Sequence, residues 1–287
     1  MTMSSVAEAV PPGQHAAEVK GGFRWYRDEQ LTQSTPYHSE NNYFQKAKDR
    51  MDRTVGLIQH ALPGSTIVDI GASPFYLLYR ALQLGAKRAC GIYFANDDHP
   101  LRMMKTIHAP VGSVELIHSN IERDRLPLAD DSVDVLTACE VLEHLEYFPF
   151  CFVEEVRRVL RPGGIVCFTV PNAASIGNIL KLVFQKNIFM KYRSDPTGRH
   201  KHEYTLAQLK AFVSYLGCEI VKAGVLPSPT SEKMWLRPAY RLIAKIPGIW
   251  RYSPVLFVVG RQPVKKPTDF AGAPPAILYS HDLSIES

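Results

Sequence analysis

Three side chains that handle protons or metals, Glu140, Glu143 and His144, follow an apolar run at a place where a buried core would favour none. Their spacing of i, i+3 and i+4 puts all three on one face if the loop turns helically. Two further histidines, His200 and His202, precede a helical pattern that begins at Leu206, so a histidine is delivered at a helix entrance. Two carboxylates and two imidazoles are a suitable ligand set for a divalent cation. These residue types therefore predict metal-assisted or acid–base chemistry.

The elements around this cluster form one strand–loop–helix–strand unit. Residues 133–139 contain a short apolar run that fits a strand buried on both faces. Residues 150–160 repeat apolar side chains with helical spacing, and Arg161-Pro-Gly-Gly164 ends that helix. Residues 165–170 then predict the next buried strand, which makes the unit a βαβ motif.

A second loop follows the strand predicted at residues 66–70 and precedes a helical run at residues 76–84. In open α/β sheets, ligands lie at the carboxyl ends of the strands, and a glycine there lets the backbone approach them closely. Gly71 is therefore the strongest single candidate for contact with a cofactor. The alternative is that this glycine only makes a tight turn.

Together these segments resemble a class I S-adenosylmethionine-dependent methyltransferase. Residues 120–172 are similar to the second half of such an enzyme, and Asp69-Ile-Gly-Ala-Ser-Pro-Phe75 is similar to its motif I. The resemblance extends over about residues 60–260. It implies an α/β fold with a Rossmann-like, doubly wound sheet of seven strands, the last of them antiparallel, and with N-terminal and inserted helical lids.

The resemblance also implies S-adenosyl-L-methionine as the cofactor. The positions that correspond to its binding residues are Asp69, Gly71, Ala72, Ser73, Tyr93, Asn120, Ile121, Cys139 and Glu140. Some of them depart from the usual pattern: Ser73 and Phe75 stand where glycines are common, and Tyr93 stands where a carboxylate normally holds both ribose hydroxyls. Because a phenol cannot chelate a diol in that way, the candidate substitutes are the Asn and Asp side chains of residues 96–98.

The pattern ExxEH, followed by a histidine just before Tyr204-Thr205, resembles two metal-assisted groups. They are the ubiquinone-biosynthesis O-methyltransferases and the small-RNA 3′-terminal ribose 2′-O-methyltransferases. The resemblance implies Mg²⁺ or another divalent cation held by Glu140, Glu143, His144 and His200, with His202 as the alternative to His200. A metal lowers the pKa of a bound hydroxyl and fixes its lone pair on the line of attack. Glu140, Glu143 and His144 are then the predicted catalytic residues.

Similar sequences occur in methyltransferases without a metal, so His144 can instead act as a general base or only line the pocket. The expected activity is O-methylation of a hydroxyl on a sugar, polyol or phenolic small molecule, in a bacterial glycan or in natural-product biosynthesis. N- or C-methylation is the alternative within the same class, and a non-catalytic or repurposed protein of the same fold is the alternative outside it. RNA 2′-O-methylation predicts a continuous basic track, whereas the basic residues here are scattered.

The composition bounds the remaining possibilities. The chain has 287 residues, of which 46% are hydrophobic, and 33 basic against 28 acidic residues give a net charge of +5. This balance is too mild to favour a nucleic-acid partner, and no run has the length of a membrane span. The chain has no signal-peptide pattern and five cysteines without a CxxC pair, so we expect a cytoplasmic protein without disulfides. We expect it to be a monomer or a homodimer.

The expected organisation is a single methyltransferase domain between two disordered ends. The domain is predicted at residues 19–262 and the disordered ends at residues 1–18 and 263–287, which are rich in Pro, Ala and Ser. Within the domain we expect an N-terminal lid at residues 19–60, a cap insertion at 171–204 and a basic aromatic crossover at 228–252. Residues 233–252 suit contact with a membrane surface or a lipid-linked substrate, although their aromatic side chains also suit packing on the sheet.

Overall fold

The computed structural model describes residues 14–19, 23–28, 37–72, 75–94, 105–109, 111–189, 199–226, 250–264 and 273–279, with side chains from residue 47 onwards. The strands are β1 (Gln14–Val19), β2 (Phe23–Asp28), β3 (Thr66–Ile70), β4 (Arg88–Tyr93), β5 (Thr106–Ala109), β6 (Gly112–His118), β7 (Val133–Cys139), β8 (Leu160–Pro171), β9 (Glu219–Leu226) and β10 (Val255–Arg261). The α-helices are α1 (Tyr37–Ile58), α2 (Tyr76–Gln83), α3 (Phe150–Val159), α4 (Ile176–Val183) and α5 (Leu206–Tyr215).

Eight of these strands form one sheet in the order β5-β6-β4-β3-β7-β8-β10-β9. The pairs from β6 to β8 are parallel, and β10 lies antiparallel between β8 and β9. The predicted doubly wound α/β sheet with its last strand antiparallel is confirmed. The expected number of seven strands is corrected to eight, because β5 adds an antiparallel edge strand beside β6. Four residues are too few to show a strand period in the sequence.

Successive strand residues point to opposite faces of the sheet, and helices cover the apolar residues on each face. Ile67 belongs to the core formed with α1 and α2, whereas Val68 belongs to the core formed with α3 and α5. In that second core the rings of Phe152 in α3 and Phe212 in α5 stack at 6.3 Å, and Phe168 of β8 contacts both. A parallel sheet buried on both faces leaves its strand ends as the place where polar groups meet.

The carboxyl ends of β3, β4 and β7 lie side by side at the point where the strand order reverses. Ile70 is in register with Ile92 of β4 and with Ala138 of β7. The residues that follow these positions are Gly71, Tyr93 and Cys139, so the sheet brings three of the predicted cofactor-binding residues to one edge.

The predicted lids and ends contain described elements. Of the ends predicted to be disordered, residues 14–18 belong to β1, which pairs with β2 in a hairpin, and Leu278 and Tyr279 make apolar contacts. The residues predicted as an N-terminal lid contain α1, and those predicted as a cap insertion contain α4. Residues 1–13 and 190–198, like most of the crossover at 228–252, lie outside the described residues. No described helix combines the length and the apolar character required to cross a membrane.

Candidate active site

A cavity of about 310 Å³ opens at the carboxyl edge of the sheet. Of the predicted site residues, those that line it are Gly71, Tyr93, Asn120, Ile121, Cys139, Glu140 and His144. Asp69 and Ala72 are buried and do not belong to its lining. Ser73, like the candidate substitutes at residues 96–98, lies outside the described residues. The structure therefore gathers most of the residues that the sequence singled out.

Two features of the structure, the backbone φ and the nearby Val141 side chain, favour glycine at position 71. Its φ is +71°, a backbone conformation that costs other residues about 1–2 kcal/mol. A Cβ at this position would also overlap Cγ2 of Val141, which lines the cavity. The backbone N–H groups of Gly71 and Ala72 both donate to the carbonyl oxygen of Ile92, at 2.8 and 3.2 Å. The turn and the cavity contact are thus properties of the same residue.

The residue at the last motif position, Phe75, adopts the same left-handed conformation with φ of +62°. A glycine would take this φ without strain, whereas here the backbone strain accompanies a large buried side chain. The Phe75 ring is 1% exposed and lies against Gly91 in β4. Hydrophobic burial of the ring offsets the strain, which explains how the turn persists without its usual glycine.

Asp69 lies buried near the end of β3, just before the turn at Gly71. It is 5% exposed and accepts a hydrogen bond from the Thr137 hydroxyl at 2.5 Å. Burial raises the pKa of its carboxyl to about 7, and the Thr137 hydrogen bond opposes that rise. Asp69 therefore links β3 to β7 in this structure.

The far end of the cavity, at β4 and β6, is aromatic and weakly polar. The Tyr93 ring packs edge-on against His118, with the ring centroids 5.5 Å apart. Asn120 accepts a hydrogen bond from the backbone N–H of Glu122 at 3.0 Å. Ser119, which the sequence reasoning missed, is 3% exposed, lines the cavity and has a hydroxyl with no hydrogen-bond partner among the described residues. Its position after β6 and next to Asn120 is the signal that could have identified it.

Beside the cavity, Glu143, His144 and His200 come together. One potential ligand atom from each lies within 4.8 Å of the others. Glu143 Oε1 is 3.9 Å from His144 Nε2, and the centroids of the two imidazole rings are 5.0 Å apart. Glu143 and His144 stand in a short 3₁₀ turn after β7, while His200 comes from the loop that precedes α5. Side chains from two loops thus form one cluster of the kind that holds a metal ion.

Both histidines are oriented by hydrogen bonds at Nδ1. His144 Nδ1 lies 3.1 Å from the carbonyl oxygen of Arg199, which accepts its proton, and His200 Nδ1 lies 3.0 Å from a carboxylate oxygen of Glu203. These partners assign the proton to Nδ1 and leave Nε2 of each ring with its lone pair. Burial also lowers the pKa of His144, which keeps its imidazole neutral. Neutral imidazoles with anchored Nδ1 atoms are the form in which histidine binds metals.

The Glu143 carboxylate lies fully buried beside these rings. Neither of its oxygens has a hydrogen-bond partner among the described residues. Burial raises the pKa of Glu143 well above its usual value, and the nearby Glu140 carboxylate adds to the rise. An ionised carboxylate in such a place needs a counter-charge. A divalent cation between Glu143, His144 and His200 fits this donor set.

Glu140 lies apart from the cluster. Its carboxylate pairs with the guanidinium of Arg50 at 3.0 Å and accepts a hydrogen bond from the Thr169 hydroxyl at 3.4 Å. The expected common face fails because Glu140 has φ of +59°, so the chain does not turn helically from this residue. Similarly, His202 contacts Gln208 and Tyr204 instead of the cluster, so His200 is the histidine that the fold brings to Glu143.

Arg50 is a second residue that the sequence reasoning missed. It lies on the buried face of α1 with Ala47, Met51 and Val55, and it is 7% exposed. A buried guanidinium beside a cavity residue can hold a carboxylate in a fixed geometry. A single arginine among buried apolar positions was the available signal.

Known proteins are similar to this chain over much of the same region. Residues 68–168 match the family described as a methyltransferase domain. A Mycolicibacterium smegmatis protein named as a probable S-adenosylmethionine-dependent methyltransferase is 29% identical over 186 residues, covering 64% of this chain and 63% of that protein. A Rhizobium etli ubiquinone biosynthesis O-methyltransferase is 24% identical over 194 residues, covering 65% of this chain and 75% of that protein. The chain thus spans less than two thirds of the mycobacterial relative.

Solved structures show the same fold. An S-adenosylmethionine-dependent methyltransferase from Archaeoglobus fulgidus aligns with a TM-score of 0.53 and 17% identity, covering 79% of this chain and all of that one (100%). At this identity the likeness concerns the fold of the chain.

Replacement of Gly71 by alanine tests the cofactor contact. We expect Gly71→Ala to weaken binding of S-adenosylhomocysteine by about tenfold or more, because the new Cβ meets Val141 at the cavity wall. Gly64→Ala is the matched control, since Gly64 has φ of +73° but open space around its Cβ. The positive φ should cost each variant about 1–2 kcal/mol of stability, and Gly71→Ala should lose more because its Cβ overlaps Val141; chemical denaturation measures both. Equal affinities of the two variants in calorimetric titration would refute the assignment of Gly71.

Proposed function

Because residues 68–168 form a methyltransferase domain and the chain has the fold of the class I S-adenosylmethionine-dependent methyltransferases, we propose that it methylates a hydroxyl oxygen of a small molecule with the help of a divalent cation. The observation that carries this proposal is the buried Glu143 carboxylate, which has no hydrogen-bond partner in the part of the chain that the structure describes and lies beside two imidazoles with available Nε2 atoms. His144 belongs both to this cluster and to the lining of the cavity, so the two sites are contiguous.

The cavity residues suit the parts of S-adenosyl-L-methionine, which when bound supplies a methyl group activated by its sulfonium. Gly71 allows the backbone to approach the ligand, and the Ser119 hydroxyl and Asn120 amide offer hydrogen bonds at the end where Tyr93 lies. Arg50, already paired with Glu140 at the lining, suits the carboxylate of the methionine part. At the ribose position, Tyr93 offers one hydrogen bond where a carboxylate would offer two.

Glu143, His144 and His200 would hold Mg²⁺ or another divalent cation, which supplies a Lewis acid that lowers the pKa of a neighbouring hydroxyl. Two neutral imidazoles and one carboxylate leave a net positive charge on such a site, which favours the deprotonated form of an acceptor. Three protein ligands also leave coordination positions open. The cluster would therefore orient a hydroxyl next to the cavity as well as acidify it.

Methylation of oxygen is further supported by the ubiquinone biosynthesis O-methyltransferases among the relatives, whose name states that reaction. Paired hydroxyls on a sugar, polyol or phenol are the acceptors that a divalent cation favours. The open alternative is that His144 acts as a base without a metal, which its lowered pKa allows because the ring is neutral near pH 7. Acceptor screening distinguishes this reaction from methylation of a nitrogen, of a carbon or of an RNA ribose.

The cap insertion supports an apolar or lipid-linked acceptor. In α4 and the residue after it, Leu182, Val183 and Phe184 are 57–69% exposed. Residues 171–189 contain Lys181 and Lys186 but no acidic residue. Exposed apolar side chains with lysines among them suit the surface of an anionic bilayer. We therefore place the proposed membrane contact at α4, in addition to the crossover residues 233–252 that the sequence suggested.

Titration with Mn²⁺ tests the cation site without knowledge of the acceptor. We expect metal-stripped protein to bind one Mn²⁺, and Glu143→Gln and His200→Ala each to weaken that binding by about tenfold to a hundredfold or more, with S-adenosylhomocysteine affinity nearly unchanged. His108→Ala is the control, because His108 is an exposed histidine outside the cluster. Once an acceptor is found, excess chelator should abolish turnover. Unaltered Mn²⁺ binding by Glu143→Gln, or turnover that persists in chelator, contradicts the proposal.

Co-sedimentation with liposomes tests the membrane contact. Binding should rise with the fraction of anionic lipid, because Lys181 and Lys186 add electrostatic attraction to apolar insertion. The double change Leu182→Asp and Phe184→Asp should remove it. Val264→Asp serves as the control, since Val264 is 85% exposed elsewhere on the chain. Flat binding across lipid compositions would exclude this surface.

A further inference from the structure

A C-terminal segment packs beside Phe148, Phe150 and α5. Together with Lys201 and His202, from the loop that carries His200, it lines a cavity of about 230 Å³. This segment, residues 273–279, is called the C-terminal clamp below. Its Tyr279 ring lies 5.7 Å from Phe148 and 6.0 Å from Phe150, centroid to centroid, and Leu278 packs against the core that includes α5. The backbone N–H groups of Leu278 and Tyr279 both donate to the carbonyl oxygen of Pro275, so the clamp has its own turn. It is a packed element of the fold.

Gln208 connects the clamp to the loop. Its Nε2 donates to the backbone carbonyl of Ile277 at 3.2 Å and lies 3.4 Å from Nε2 of His202. Its Oε1 accepts from the backbone N–H of Thr205 at 2.9 Å, which completes a capping box at the start of α5. One side chain thus joins the helix start, the loop and the clamp.

The opposite side of the same loop is joined to the cation cluster. The backbone N–H groups of Lys201 and His202 both donate to the carbonyl oxygen of Glu143, at 2.6 and 3.2 Å. The Lys201 ammonium also pairs with Glu146 at 2.5 Å. The loop is therefore hydrogen-bonded to the turn that carries Glu143 and His144, and Gln208 links it to the C-terminal clamp.

We propose that the C-terminal clamp holds the His200 loop in the position in which His200 binds the cation, with Gln208 and Tyr279 as positioning residues. Residues 199–203 belong to no helix or strand, so their geometry depends on these neighbours. A ligand that is held in place before binding loses less conformational entropy when the cation binds. This inference rests on the proposed cation site and goes beyond it, since neither Gln208 nor Tyr279 touches the cluster.

The variant Gln208→Glu separates capping from clamping. Glutamate retains the oxygen that accepts from Thr205 and is itself favoured at this position of a capping box, but it removes the donor to Ile277 and His202. We expect about tenfold weaker Mn²⁺ binding by the full chain, as is usual when the groups around metal ligands are altered. The thermal midpoint should stay close to that of the wild type. The added negative charge would by itself strengthen cation binding, so a loss cannot be an effect of charge.

Tyr279 variants and truncations provide the second test. Tyr279→Ala and a chain that ends at residue 272 should both weaken Mn²⁺ binding by about tenfold, whereas Tyr279→Phe, which keeps the ring, and a chain that ends at Tyr279 should bind as the wild type does. If Gln208→Glu and both of these loosened variants bind Mn²⁺ like the wild type, the clamp has no positioning role and the inference fails alone. If the wild type itself binds no Mn²⁺, the proposed cation site fails and takes the inference with it.

Discussion

A carboxylate that is fully buried and lacks a hydrogen-bond partner among the described residues is the constraint on which this site depends. Removing such a group from water costs several kcal/mol in its ionised form. Among the described residues, the one side chain within ion-pair distance of Glu143 is the neutral imidazole of His144, at 3.9 Å. The carboxylate must therefore take up a proton or meet a cation. The imidazoles of His144 and His200 favour the cation. Their Nδ1 atoms are hydrogen-bonded to the Arg199 carbonyl and the Glu203 carboxylate, so their Nε2 lone pairs are available as ligands.

The backbone at the edge of the sheet makes this arrangement possible. Gly71 after β3 and Glu140 after β7 both adopt positive φ, so the chain turns sharply at the ends of two adjacent parallel strands. Val141 then lies so close to Gly71 that no Cβ fits between them. The same short segment that lines the cavity continues directly into Glu143 and His144. The proposed cofactor site and the proposed cation site therefore share the segment from Glu140 to His144.

Much of the fold follows from the sequence because its signals are local. Apolar runs bounded by glycine and proline mark the strands, and apolar residues at helical spacing mark α3 and α5. The grouping of Glu143 with His144 follows from proximity in the chain, and the choice of His200 came from resemblance. Tertiary contacts could not be predicted from the sequence. The ion pair of Arg50 with Glu140 joins residues far apart in the chain, and it depends on the positive φ of Glu140, which no residue spacing indicates. The packing of residues 273–279 depends likewise on Phe148, which no periodic pattern in the sequence identifies as a contact.

The most direct test of the account is a crystal structure with S-adenosylhomocysteine and Mn²⁺, recorded with the anomalous signal of the metal. We expect the nucleoside in the cavity between Gly71 and Asn120. We also expect one anomalous peak at about 2.0–2.3 Å from a Glu143 oxygen and from Nε2 of both His144 and His200. A structure with the ligand in the cavity, no peak at the cluster and a protonated Glu143 hydrogen-bonded to a neighbour would contradict the cation site.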